Sequence, residues 1–368
     1  MPEVNYSVDP NTGLMLLRTS GRKDWRRCPW YGYMRWVEGW SPKRPPTWSI
    51  FGGAYHKAME VLYPVGSVEP NQFLEEAQQT FIDELKGEIR KIGVDIFEEE
   101  YERQEREAED RERSVTLVPA HELGVIMLEE YVKWIERTQA GDGEWEVIHT
   151  EQPFQIDVPY PKSWGKRFEG QTLVVYCGTW DNLSYNRRTK EYWLWDWKTC
   201  KSLPDHRVLD MDDQRGTYLW VAKEVLVHKG LLSPKDHLAG IVFQYAKKQL
   251  PDDRPCNAVG EALNKDGTVS KRQPVPRFLR LESARSPEQV VRQARRVQKE
   301  AVQYQQWIDD PEMIYKNQTH ECIRCPLYDM CEAHESGDDW ELIRDEMYVQ
   351  RDPFADHREA MNHGGIEL

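Results

Sequence analysis

Gly178-Thr179-Trp180-Asp181 and, after a turn, Trp195-Asp196-Trp197-Lys198-Thr199 are the stretches that decide how this chain folds. They lie in two runs rich in β-branched and aromatic residues, 172–185 and 191–199, separated by a turn at 186–190. That is the pattern of consecutive strands. Period-two alternation puts Asp196 and Lys198 on one face, and if the strands are neighbours Asp181 and Asp196 converge at one end of the sheet. Two carboxylates and a lysine then share a pocket. Carboxylate oxygens suit Mg²⁺ or Mn²⁺, which keep several waters and accept phosphate oxygens as further ligands. The lysine can hydrogen-bond an attacking water and offset charge on a phosphorane-like transition state. A bare Asp-x-Lys carries little alone, because a salt bridge between neighbouring strands gives the same triplet.

Outward from this pair, residues 145–158 read as a preceding strand and 239–246 as a later one, with helices expected over 51–63, 210–227 and 286–307. The last is opened by Ser286-Pro287-Glu288, with proline in the first helical turn. Between residues 70 and 139, Phe73, Phe81, Leu85, Leu123, Ile126, Met127, Tyr131 and Trp134 recur mostly at three- and four-residue steps, which predicts a helical insertion over 65–140. Residues 251–276 are polar and loop-rich, and from 351 the chain is polar and passes through Gly364-Gly365. That end is expected to be a mobile tail. With no internal repeat or low-complexity linker, residues 1–350 read as one α/β domain.

The chain has 368 residues, 39% hydrophobic and 30% charged, an ordinary globular composition. No apolar run approaches the roughly 18 residues of a membrane span, and residues 1–10 lack the order of a secretion signal, so a cytoplasmic protein is expected. The net charge of −14 stands against nucleic acid, whose phosphates are held by Lys and Arg. Much of the acid, however, lies in residues 98–112, the pattern of a solvated helix face. Fifteen tryptophans are present, and Trp180, Trp193, Trp195, Trp197 and Trp220 fall near the candidate pocket. Aromatic faces can stack unpaired bases, but alternation on buried strands assigns most of them to the core.

In their order along the chain, four groups of residues resemble the PD-(D/E)XK nuclease superfamily, in its RecB-like branch, which includes the nuclease domains of RecB and AddB and the exonucleases linked to CRISPR adaptation. Gly52-Gly53-Ala54-Tyr55-His56 looks like the early helix that brings a metal-ligating histidine. Asp181 matches the first acidic position and Asp196-Trp197-Lys198 the Asp/Glu-x-Lys element. Gln214-Arg215-Gly216-Thr217-Tyr218 is similar to the glutamine-and-tyrosine motif of the following helix. The resemblance implies a mixed central sheet flanked by helices, and a divalent metal held by His56, Asp181, Asp196 and the Trp197 carbonyl. It also implies that Lys198 orients the nucleophile, that Gln214 and Tyr218 lie along DNA, and, more weakly, that Glu151 matches a recurrent glutamate.

Cys322, Cys325 and Cys331 form a compact group of three, and Cys28, in Arg27-Cys28-Pro29, is the candidate fourth ligand. Four thiolates fit an iron–sulfur cluster or a tetrahedral zinc site equally by spacing. The one-early, three-late arrangement resembles the four-iron four-sulfur site of AddB and its CRISPR-associated relatives. It implies a [4Fe-4S] staple joining residues 310–335 to Cys28 in a subdomain built from both chain ends. Cys177, Cys200 and Cys256 lack partner spacing and read as ordinary thiols.

The expected function is metal-dependent DNA hydrolysis, exonucleolytic on single strands or duplex ends, in recombination, repair, phage replication or CRISPR adaptation. A non-catalytic DNA-binding scaffold retaining fold and cluster is the rival, and an enzyme using the cluster for electron transfer a third reading. There is no Walker-type glycine loop to suggest a helicase motor.

Overall fold

The computed structural model describes residues 5–67, 70–110, 117–138, 142–205, 207, 209, 212–230, 232–233, 238–363 and 365–367. The strands are β1 (Met15–Leu17), β2 (Trp40–Pro42), β3 (Trp145–Pro159), β4 (Thr172–Asn186), β5 (Glu191–Cys200), β6 (Gly240–Lys247), β7 (Phe278–Ser283), β8 (Tyr348–Gln350) and β9 (Ile366–Glu367). The helices used below are α1 (Thr19–Arg27), α2 (Pro29–Gly32), α3 (Thr47–Leu62), α4 (Leu74–Ile92), α5 (Ile96–Asp110), α6 (Ala120–Thr138), α7 (Asp213–His228), α8 (Pro287–Asp309), α9 (Tyr328–Ser336), α10 (Trp340–Met347) and α11 (Ala355–Asn362).

A mixed sheet in the order β7-β6-β5-β4-β3-β9 forms the centre, with β1 added beside β4. β3, β4 and β5 are an antiparallel meander, as alternation and the short turn predict, whereas β5 and β6 run parallel. A parallel pair needs a long crossover, and α7 provides it. The Asp212 carboxylate caps α7 by accepting from the Arg215 N–H, and Ser286 with Gln289 forms a capping box at α8. The sheet is thus α/β and flanked by helices.

Alternation on β5 feeds two cores. Leu194 packs with Trp25, Phe154, Trp180, Val221 and Val297 on the side of α1, α7 and α8. Trp195 and Trp197 pack with Phe51, Tyr55, Phe81 and Tyr131 on the side of α3, α4 and α6. Burying a side chain such as Phe81 contributes about 2 kcal/mol. The helical insertion therefore forms the second core rather than hanging from the domain. Gly124 of α6 permits this approach, because a Cβ there would overlap the Phe81 ring.

The end of the chain differs from the expected mobile tail. Phe354 and His357 are 1% and 2% exposed, α11 follows the former, and Ile366 and Glu367 pair with Phe154 and Gln155. The composition of this segment is polar, but one buried aromatic and one edge strand suffice to dock it. β7 and β1 were also not predicted. β1 matters for the site, since it takes the edge of β4 at Val174–Tyr176 that β5 does not reach.

Candidate metal centre

β4 pairs with β5 only from Asn182 to Asn186. Below the Asn182–Trp195 pair the two strands separate, and Asp181 and Asp196 stand at the fork. A backbone N–H released from a ladder must find another acceptor. The N–H of Trp197 finds it in Asp181 Oδ2 at 2.8 Å. This bond fixes the Asp181 carboxylate in the fork, where it also lies 3.3 Å from His56 Nδ1 on α3. The imidazole is hydrogen-bonded to the Trp197 backbone, and burial, with Lys198 adding, lowers its pKa despite Asp181 and that bond. It is therefore held neutral, the form a metal ligand needs.

Glu151 completes the group. It lies between the Thr150–Asn182 and Gln152–Trp180 pairs of β3, opposite Asp181, with φ of 44°. A left-handed glutamate inside a strand stores roughly 1–3 kcal/mol of strain. Its carboxylate, the Asp181 carboxylate and a His56 nitrogen lie within 4.8 Å of one another. Burial and the nearby Asp181 push the Glu151 carboxyl up to about 8, against the pull of Lys57. A strained backbone that presses two carboxylates and a neutral imidazole together suits a hard divalent cation, which supplies the missing positive charge.

Asp196 and Lys198 share a face, as alternation requires. Lys198 Nζ lies 2.7 Å from Asp196 Oδ2 and donates to Oδ1 at 2.9 Å; Gln214 Nε2 also donates to Oδ1 at 2.9 Å. Asp196 Oδ2 is buried and lacks any well-directed hydrogen bond, so it retains a lone pair for a cation. Burial raises the Asp196 carboxyl to about 7, with Asp181 adding and Lys198 opposing. Burial alone would lower the Lys198 ammonium, but Asp196 and Asp181 outweigh it and hold it charged. About a third of the Lys198 side chain, 32%, faces solvent. Tyr218 donates from its hydroxyl to the Thr179 carbonyl at 3.0 Å, so both motif residues of α7 brace the fork.

His56, Asp181, Asp196 and Lys198, expected at the pocket, lie together, while Gln214 and Tyr218, expected along DNA, bond instead to Asp196 and to the Thr179 carbonyl; Glu151 stands more centrally than its weak sequence match indicated. Sequence reading missed Arg22. Its buried guanidinium lies 2.8 Å from Asp213 and 2.7 Å from Glu300, while Thr217 accepts from it at 3.0 Å. This network ties α1 and α8 to the turn of α7 that carries Gln214. No motif marks an arginine of that kind.

At the far side of α1, Asn317 N donates to Cys28 Sγ and Thr319 N to Cys322 Sγ, each at 3.4 Å. Burial pushes the Cys331 thiol up to about 11, with Cys28 and Cys325 adding, and the Cys325 thiol rises for the same reason beside Cys28 and Cys322. The early cysteine and the late three thus lie in one region, around the start of α2 and α9, although among the described residues no three of their sulfurs fall within 4.8 Å of one another. The Arg27 carbonyl accepts from Asn317 Nδ2 at 2.8 Å, a second link between the chain's two ends. No helix among the described residues is long and apolar enough to cross a membrane.

A family model described as the PD-(D/E)XK nuclease superfamily matches residues 21–332. No curated protein matches the chain significantly.

Proposed function

The chain belongs to the PD-(D/E)XK nuclease superfamily, and from that premise we propose a divalent-metal-dependent deoxyribonuclease of the RecB-like branch, acting exonucleolytically on single strands or duplex ends. The observation that carries the site assignment is the convergence of His56, Glu151 and Asp181 within 4.8 Å beside the Lys198–Asp196 pair. His56, Glu151, Asp181 and Asp196 Oδ2 hold Mg²⁺ or Mn²⁺, with the Trp197 carbonyl as a further oxygen. Such a cation supplies a Lewis acid for the phosphodiester and a nucleophile at neutral pH. Lys198, charged and partly open to solvent, orients the attacking water and offsets charge on the phosphoryl oxygens. Gln214 fixes the Asp196 rotamer, and Tyr218 fixes the mouth of the fork through Thr179.

Cys28, Cys322, Cys325 and Cys331 hold a structural [4Fe-4S] cluster in this reading. Iron and acid-labile sulfide found in anaerobically purified protein would support it, and zinc alone would replace it with a tetrahedral site.

The test is degradation of end-labelled linear single- and double-stranded DNA with Mg²⁺ or Mn²⁺. Wild type is expected to remove label, and Asp196→Ala and Lys198→Ala, once shown to be folded by circular dichroism, to be slowed at least 100-fold, the scale of losing one electrostatic catalytic group. Full activity in either variant overturns the assignment. Closed circular duplex cut as fast as linear strands removes the preference for ends, and tight metal-independent binding without cleavage favours a DNA-binding scaffold.

A further inference from the structure

His56 lies on one stripe of α3, and that stripe leads away from the metal centre into a cleft of about 1300 Å³ walled by α1, the start of α3, the cysteine segment and the chain following β8. We propose that this cleft is a second nucleic-acid site, binding the backbone phosphates of the strand whose scissile phosphodiester lies at the metal centre, with Trp48 as a platform for one of its bases. The inference rests on the nuclease reading of that centre.

Charge distribution is the first support. In a chain of net charge −14, Arg18, Lys23, Arg35, Arg324 and Arg351 line this one cleft, and among the described residues none has a carboxylate within ion-pair distance. Four of the five acids on the same walls, all but Asp356, are already engaged. Glu88 pairs with Lys91, Glu321 with Arg27 and Asp352 with Arg358, while Asp24 accepts from the Trp36 indole at 2.9 Å. Burial lowers the pKa of the Arg35 guanidinium, and Arg351 and Arg18 push it further the same way, against Tyr31 and Asp24. Like charges brought together in a partly buried cleft repel one another until an anion joins them.

Shape is the second. Trp48 is 64% exposed, although a ring of that size is usually covered. Trp48, Gly52 and His56 recur at four-residue steps and so share one face of α3. Between the two side chains the helix carries only hydrogen: a Cβ on Gly53 would meet nothing within 4 Å, and one on Gly52 only Thr199 Oγ1 at 3.5 Å. The result is an open lane of about 12 Å from metal ligand to exposed indole, at 1.5 Å per helical residue. A strand lying in it meets backbone rather than side chains, then the cationic cleft. Phosphate neutralisation with base stacking on an aromatic face is the usual chemistry of single-strand binding.

The test is fluorescence anisotropy of a fluorescein-labelled oligothymidine without divalent cations, across a salt series. Arg324, Arg351 and Trp48 are exposed, so substitution leaves the cores intact. Arg324→Ala/Arg351→Ala is expected to weaken binding at least tenfold at low salt and to reduce the slope of log K against log salt by roughly one to two, about one for each phosphate that no longer has a cationic partner. Trp48→Ala is expected to weaken it about tenfold at every salt concentration, as removal of one stacking platform does. Wild-type affinity and slope in these variants would overturn the cleft. Failure of the nuclease reading shows separately, as a protein that loses affinity on these substitutions but cleaves nothing when Mg²⁺ or Mn²⁺ is restored.

Discussion

Asp196 and Glu151 bind their protons more tightly in the folded protein than free carboxyls do, at about 7 and about 8, chiefly because both are buried, with Asp181 adding to each. A free carboxyl titrates at about 4. Their contribution to stability is therefore fully present below about pH 4 and is lost as pH rises through 7 and 8. A divalent cation reverses this, since it binds the ionised forms. With chelator present, the melting temperature is expected to fall between pH 5.5 and 8.5, and added Mg²⁺ to restore it mainly at the upper end. Scanning fluorimetry decides: equal Mg²⁺ stabilisation at pH 5.5 and 8.5 would mean that these carboxyls do not hold the ion. At this scale Asp181, Asp196 and Lys198 were legible because strand alternation is a local property. Glu151 was legible only weakly, through the resemblance, because its place depends on a φ of 44° that no residue pattern specifies.

Among the elements, the fork between β4 and β5 does most to make the site. It exists because β4 is long enough to pair with β5 along one half and with β1 along the other. The meander, α3, α7 and α8 followed from alternation, helical periodicity and capping. A three-residue strand such as β1 has too few residues to show a period. The segment after residue 351 was misread for a related reason: composition averages over its polar residues, whereas docking depends on Phe354, which packs on the Trp36 ring at 5.3 Å between centroids. Phe354→Ala is expected to cost about 3 kcal/mol, the usual penalty for emptying a buried aromatic site, in urea unfolding followed by fluorescence. A loss under about 0.5 kcal/mol, typical of surface changes, would restore the mobile-tail reading.

For the whole molecule, the candidate metal centre sits where two hydrophobic cores meet across one sheet. His56 reaches it from the core of α3, α4 and α6, and Gln214 from the core of α1, α7 and α8. Neither half alone assembles the ligands with their braces, which explains why the four motif groups span residues 52 to 218 in sequence yet converge in space. The net charge of −14 was a poor guide because it sums a solvated acidic helix with a cationic cleft. The central claim is that Asp181, held in the fork by the Trp197 N–H, organises a divalent-cation site with His56 and Glu151. Its most direct measurement is titration calorimetry of Mn²⁺ into metal-free wild type and into Asp181→Asn at pH 8. Saturable binding by the wild type, weakened at least tenfold in the variant, the scale at which disturbed metal sites lose affinity, is the predicted result. Equal Mn²⁺ affinity in the two proteins, or none in the wild type, would contradict it.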